Sequence, residues 1–172
     1  MTTIAVRGNT MASDACHNQG DGTIFVLQSK LHRTEHGLII GGAGDCSDRD
    51  LLALLDKVKN PASLPSLNEL SAACHRFSDL SMLILFPNRE IWCLDRTIGD
   101  HGDGPMELFR MHAPFAAIGS GQAAAMTAMR MGASAPRAVE EACKCDIYSR
   151  PPVFYEQIRS NAKKKIIKRK AK

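Results

Sequence analysis

Strand-like and helix-like segments along this 172-residue chain come in groups and do not alternate. Short strands fill the first fifty residues, two helices follow, then more strands, two more helices and a last strand. Grouped runs of this kind argue against repeated βαβ units and for an α+β fold. Two antiparallel sheets packed together, with a helix pair outside each, would bury both sheets and both pairs.

The segments are read from pattern. Residues 2–7, rich in Thr, Ile and Val, suit a strand. Arg7-Gly8-Asn9 turns the chain into a second strand, Thr10 to Asp14. A loop holding Gly20 and Gly22 leads to one strand over Thr23 to Arg33. Glu35-His36-Gly37 turns it into a buried strand, Leu38 to Ala43. Leu51, Leu54, Leu55 and Val58 share one face of a helix over Asp48 to Lys59, with Ser47 placed to cap it. Ser66-x-x-Glu69 is a capping box opening a helix to about Asp79. Met82 to Phe86 and Glu90 to Leu94 form a hairpin around Pro87-Asn88-Arg89, and Thr97 to Met106 reads as a loop. Phe115 to Ile118 is a strand. After Gly119-Ser120-Gly121 a helix runs to about Met131 with almost no polar face, so it should be covered on most sides. Pro136 opens a helix to about Cys145, and Val153 to Ile158 is a last strand.

Composition narrows the function classes. Apolar residues are 44% and charged residues 23%, ordinary for a globular domain. The apolar runs fall far short of the roughly 20 residues that span a bilayer. The start, Met-Thr-Thr-Ile-Ala-Val-Arg, lacks the basic and apolar regions of a secretory signal, so a cytoplasmic protein is expected. Six cysteines without a Cys-x-x-Cys read as free thiols, and the pair Cys143 and Cys145 is poor evidence for a metal. No cofactor is expected. Net charge is +4, yet residues 163–172 alone carry seven Lys and Arg, which leaves a body of net charge −3. One domain over residues 1–161 with a solvated basic tail over 162–172 is expected, and nucleic acid is not an expected partner.

Thr2 carries the chemistry. Methionine before a small residue is normally cleaved, which would expose Thr2 as the first residue with no propeptide to remove. A threonine hydroxyl needs a base, and a terminal residue brings its own α-amine, with a pKa of roughly 7.7 to 8.0.

The residues around it resemble one family in order along the chain. Thr2-Thr3-Ile4 resembles the mature start of the bacterial proteasome-like threonine peptidases. Ala12-Ser13-Asp14 is similar to their second strand, which carries an aspartate, and Ser29-Lys30-Leu31 to the segment that carries their active-site lysine. Gly41-Gly42-Ala43-Gly44 looks like their glycine-rich turn, and Ile118-Gly119-Ser120-Gly121 like their Ile-Gly-Ser-Gly turn. Asp146-Ile147-Tyr148-Ser149 is similar to the Asp-x-Tyr-Ser of proteasome β subunits. Ala15 stands where the bacterial peptidase has glycine, and Arg150-Pro151 where glycines often follow.

The resemblance implies a four-layer αββα sandwich, the N-terminal nucleophile hydrolase fold, and a role for each matching residue. Thr2 would attack the scissile carbonyl, Lys30 would sit beside it as a cation, and Asp14 would hold Lys30. The N–H of Ala43 would face the oxyanion. Ser120, Asp146 and Ser149 would position the terminal amine. It further implies peptide or unfolded protein as substrate, a homo-oligomeric ring and an AAA+ unfoldase partner. A small-molecule amidase of the same fold and a catalytically inactive scaffold remain the other readings.

Overall fold

The computed structural model describes residues 2–18, 24–26, 29–44, 49–74, 79–96 and 104–158. The chain is α+β, with its principal sheets antiparallel. Strands β1 (Thr3–Arg7) and β2 (Thr10–Ser13) form a hairpin whose turn holds Gly8 at φ 62°, a left-handed conformation that glycine adopts without strain. A short ribbon pairs β3 (Cys16–Asn18) with β4 (Ile24–Val26). Strands β5 (Leu31–Arg33) and β6 (Ile39–Gly44) follow, then helix α1 (Arg49–Leu55), a 3-10 turn (Pro61–Ser63) and helix α2 (Leu67–Ala72). The chain continues through β7 (Leu80–Leu85), β8 (Ile91–Arg96), β9 (Met106–Met111) and β10 (Phe115–Gly119). Helices α3 (Gln122–Arg130) and α4 (Ala135–Cys145) and strand β11 (Phe154–Gln157) close the order.

One sheet runs β10-β1-β2-β11 and the other β5-β6-β7-β8-β9. Side chains alternate across a strand, and the cores follow that alternation. Ile4, Val6, Met11, Ile39, Leu83, Leu85, Ala116 and Ile118 share one apolar cluster contributed by both sheets. On the other face of β7, Met82 and Ile84 pack with Leu51, Leu55 and Leu70 from α1 and α2. On the other face of β1 and β10, Ala5 and Ala117 pack with Ala125, Met129, Ala138, Val139 and Ala142 from α3 and α4. The sheets approach closely at Gly41, where an added Cβ would lie 2.7 Å from Ile4 Cγ2 and 2.9 Å from Met11 Sδ.

Several expectations need correction. The single strand expected over Thr23 to Arg33 is two strands in different sheets, because the chain leaves extended pairing at Ser29 and Lys30. There the Lys30 N–H donates to Ser13 Oγ at 3.4 Å and the Leu31 N–H to Ser29 Oγ at 3.2 Å. The loop expected through Met106 ends earlier, and β9 was not anticipated; it pairs along its whole length with β8. Helix α3 is covered on one side only: Ala125 and Met129 are buried, whereas Gln122, Ala123, Thr127 and Arg130 face water. Alanine forms helix without needing cover on every side. Both α1 and α2 are shorter than expected; the Ser66–Glu69 capping box of α2 is present, and the proposed Ser47 cap lies outside the described residues. The loop with Gly20 and Gly22, the segment 97–103 and the basic tail also lie outside them. No helix among the described residues is long and apolar enough to cross a membrane.

Candidate active site

The site forms where the start of β1 meets the ends of β2 and β10, the residue before β5 and the turn after α4. Thr2 precedes β1 and is 6% exposed. By strand alternation it belongs to the same side of β1 as Ile4 and Val6. Lys30 Nζ donates to Thr2 Oγ1 at 2.7 Å and to Asp14 Oδ1 at 2.8 Å. The ion pair is shielded, with Lys30 and Asp14 side chains 7% and 0% exposed.

Asp14 is held by main chain from three places. Its Oδ1 also accepts the Thr3 N–H at 2.9 Å, and its Oδ2 accepts the N–H of Cys16 at 2.9 Å and of Arg150 at 3.2 Å. A buried charge persists only when paired and hydrogen-bonded, and these bonds meet that requirement. They also give Arg150, which stands at a departure from the family pattern, a main-chain task that its side chain does not affect.

A second cluster lies beside the first. Asp146 Oδ2 accepts Ser149 Oγ at 2.6 Å and Ser120 Oγ at 2.7 Å, and Oδ1 accepts the Tyr148 N–H at 3.2 Å. Partial burial works to raise the Asp146 carboxyl pKa, but the Ser149, Ser120 and Tyr148 bonds outweigh it and the net direction is downward from the ordinary 3.8. A depressed carboxyl stabilises the fold above its unfolded pKa, and that stability disappears as pH falls through the lower folded value. Asp146→Asn is therefore expected to flatten the dependence of stability on pH below about 4, checked by thermal melts of both proteins across that range.

Gly119 and Ala43 complete the surroundings. Gly119 has φ 88°, and a Cβ there would collide with the carbonyl oxygen of Thr2 and lie 3.5 Å from Ala43 Cβ. Only glycine lets β10 close on the start of β1. Ala43 is buried on β6, opposite Ser81 of β7. All seven residues expected from sequence thus occupy one region: Thr2, Asp14 and Lys30 in one hydrogen-bonded group, Ser120, Asp146 and Ser149 in another, and Ala43 adjoining both through Gly119.

Sequence reasoning missed Thr3. Its N–H reaches Asp14, and its Oγ1 lies 2.5 Å from Ser149 Oγ. The doubled Thr-Thr was a visible signal, but a second threonine in a strand reads as ordinary β propensity. The thiols of Cys143 and Cys145 are free, and burial pushes the Cys143 thiol up to about 11.

No family model and no curated protein matches the chain. The chain shares its fold with Thiobacillus denitrificans BPH. The structure of BPH in complex with epoxomicin aligns with TM-score 0.58 at 18% identity, over 92% of this chain and 98% of BPH. A second BPH structure aligns with TM-score 0.58 at 19% identity, over 93% of this chain and 99% of BPH. Coverage is nearly complete on both sides.

Proposed function

We propose that this chain is an N-terminal threonine hydrolase of the proteasome-like type, an αββα sandwich that cleaves peptide bonds with Thr2 once Met1 has been removed. One observation carries the reading: a buried lysine bonded at once to the Thr2 hydroxyl and to a fully buried aspartate. A structural ion pair has no need of the hydroxyl of the second residue. The fold shared with BPH supports the reading, as does the complex of BPH with epoxomicin, itself a proteasome inhibitor.

The geometry suits acyl transfer. Lys30 donates to a lone pair of Thr2 Oγ1, which leaves the hydroxyl proton for a base. After cleavage of the Met1–Thr2 bond, the released α-amine is that base, and the nearby cation favours its neutral form. Oγ1 attacks the carbonyl carbon as its proton passes to the amine, and the oxyanion faces the Ala43 main chain. Collapse breaks the C–N bond, and the leaving amine takes the proton. Water then hydrolyses the ester. Ser120 Oγ lies 3.5 Å from the Thr2 carbonyl oxygen and donates to Asp146, and on this reading the pair orients the amine and its water.

The test is intact mass of natively expressed protein before and after a threonine-directed β-lactone. Loss of Met1 and a single adduct on Thr2, absent in Thr2→Ala, is the expected result. Full peptide hydrolysis by Thr2→Ala, or retained Met1 with no adduct, would overturn the reading in favour of an inactive scaffold. A ring and an AAA+ unfoldase rest on the sequence resemblance. A monomeric or dimeric mass in solution would point instead to a small-molecule amide, since fold does not fix substrate.

A further inference from the structure

Thr3 lies between the two clusters and is bonded to both. It is fully buried, and its partner Ser149 is 1% exposed. Hydrogen counting fixes the direction of the bond between them. Asp146 is held ionised, so its oxygens only accept. Ser149 and Ser120 each have one hydroxyl hydrogen, and both point to Asp146 Oδ2. The 2.5 Å contact then has one assignment, with Thr3 Oγ1 donating to Ser149 Oγ. Meanwhile the Thr3 N–H donates to Asp14.

A second observation shows that space is kept for this hydroxyl. Gly121 has φ −84°, a conformation open to any residue, so backbone freedom is not why glycine stands there. A Cβ at Gly121 would collide with Thr3 Oγ1 and lie 3.0 Å from Ala142 Cβ of α4 and 3.2 Å from Ser149 Oγ. The start of α3 is cut back both against Ala142 of α4 and at the Thr3 hydroxyl, where the overlap would be greatest.

We propose that Thr3 is a positioning residue for the Thr2 reaction, its hydroxyl fixing the Ser149 rotor and through it the Ser149–Asp146–Ser120 array beside the Thr2 amine. The inference rests on the reading of Thr2 as nucleophile. Networks of this kind stiffen cooperatively, so loss of the first donor is felt at the last acceptor. The main-chain bond to Asp14 is independent of the side chain, and substitution of Thr3 leaves it in place.

The experiment is the kinetics of β-lactone acylation in Thr3→Val, which keeps the shape and removes the hydroxyl, and in Thr3→Ser, which keeps the hydroxyl. Thr3→Val is expected to lower the maximal acylation rate about tenfold or more at unchanged half-saturating concentration. Thr3→Ser should recover most of the rate. A Thr3→Val protein with the wild-type rate, or a Thr3→Ser protein as slow as Thr3→Val, would overturn the proposal. Where Thr3→Val fails to fold by circular dichroism, Thr3→Ala replaces it; a wild-type rate there also overturns the proposal. A wild-type protein that never acquires a Thr2 adduct overturns the nucleophile reading as well, whereas a reactive wild type with an unaffected Thr3→Val overturns only the role of Thr3.

Discussion

Lys30→Met is expected to slow acylation of Thr2 by about 10³-fold or more while leaving a folded protein. The substitution keeps the length and apolar stem of lysine and removes the donor 2.7 Å from Thr2 Oγ1. Without the cation, the developing negative charge on Oγ1 is uncompensated and the α-amine is held protonated to higher pH. Stability also suffers. Breaking a buried ion pair costs about 3–5 kcal/mol, because the other charge is left behind. Here the cost should sit at the low end of that range, since Asp14 keeps main-chain donors from Thr3, Cys16 and Arg150. Stopped-time β-lactone kinetics and urea unfolding check the two parts separately. A Lys30→Met protein acylated at near wild-type rate would place the activating charge elsewhere.

Asp14→Ala is expected to be the more damaging change to the fold. It strands a Lys30 ammonium that is 7% exposed and removes the acceptor of three N–H groups at once. Each buried donor left unsatisfied costs about 1–3 kcal/mol, in addition to the unpaired charge. The sum exceeds the lower end of the roughly 5–15 kcal/mol that holds a domain together, so the variant should be largely unfolded or insoluble. Asp14→Asn keeps an acceptor oxygen and the shape and should fall between this variant and wild type. Denaturant midpoints of the three proteins give the order directly. An Asp14→Ala protein with a near wild-type midpoint would mean that the three N–H groups find other partners.

The main features of this architecture were legible because its signals are local. Alternating apolar residues in residues 2–7, the Ser66–Glu69 capping box and the helical spacing after Pro136 each depend on neighbours a few positions away. What was not legible depends on distant partners. Nothing near Ser29 and Lys30 announces a break in an apolar run, because the cause is Ser13 and Thr2, which lie far off in sequence. Strand β9 follows a glycine- and aspartate-rich stretch and has a partly exposed face, so its pairing with β8 supplies what its pattern does not. The outer face of α3 was expected to be covered because alanine and methionine counted as apolar, though a helix of small residues tolerates water on one side. The site divides in the same way. Thr2, Asp14, Lys30, Ala43, Ser120, Asp146 and Ser149 were singled out through a resemblance of short motifs, and residue chemistry alone would have left Lys30 an ordinary surface lysine. Thr3 lies within the Thr-Thr-Ile match, but no role came with it, and its bond became visible only when Ser149, far along the chain, was seen against it.

The alternation of β1 has a bearing on maturation. Thr2 shares its side of the strand with Ile4 and Val6 and meets Lys30, whereas Thr3 shares the opposite side with Ala5 and meets Ser149. An aminopeptidase that removed one residue too many would still leave a chain beginning with threonine. That threonine would carry a free amine and a hydroxyl, yet its hydroxyl would be aimed at the helix layer and out of reach of the lysine. Sequencing of the first residue could not tell such a protein from the mature one. On the reading of Thr2 as nucleophile, fidelity of trimming to a single peptide bond becomes a condition of activity, imposed by the pleat of one strand.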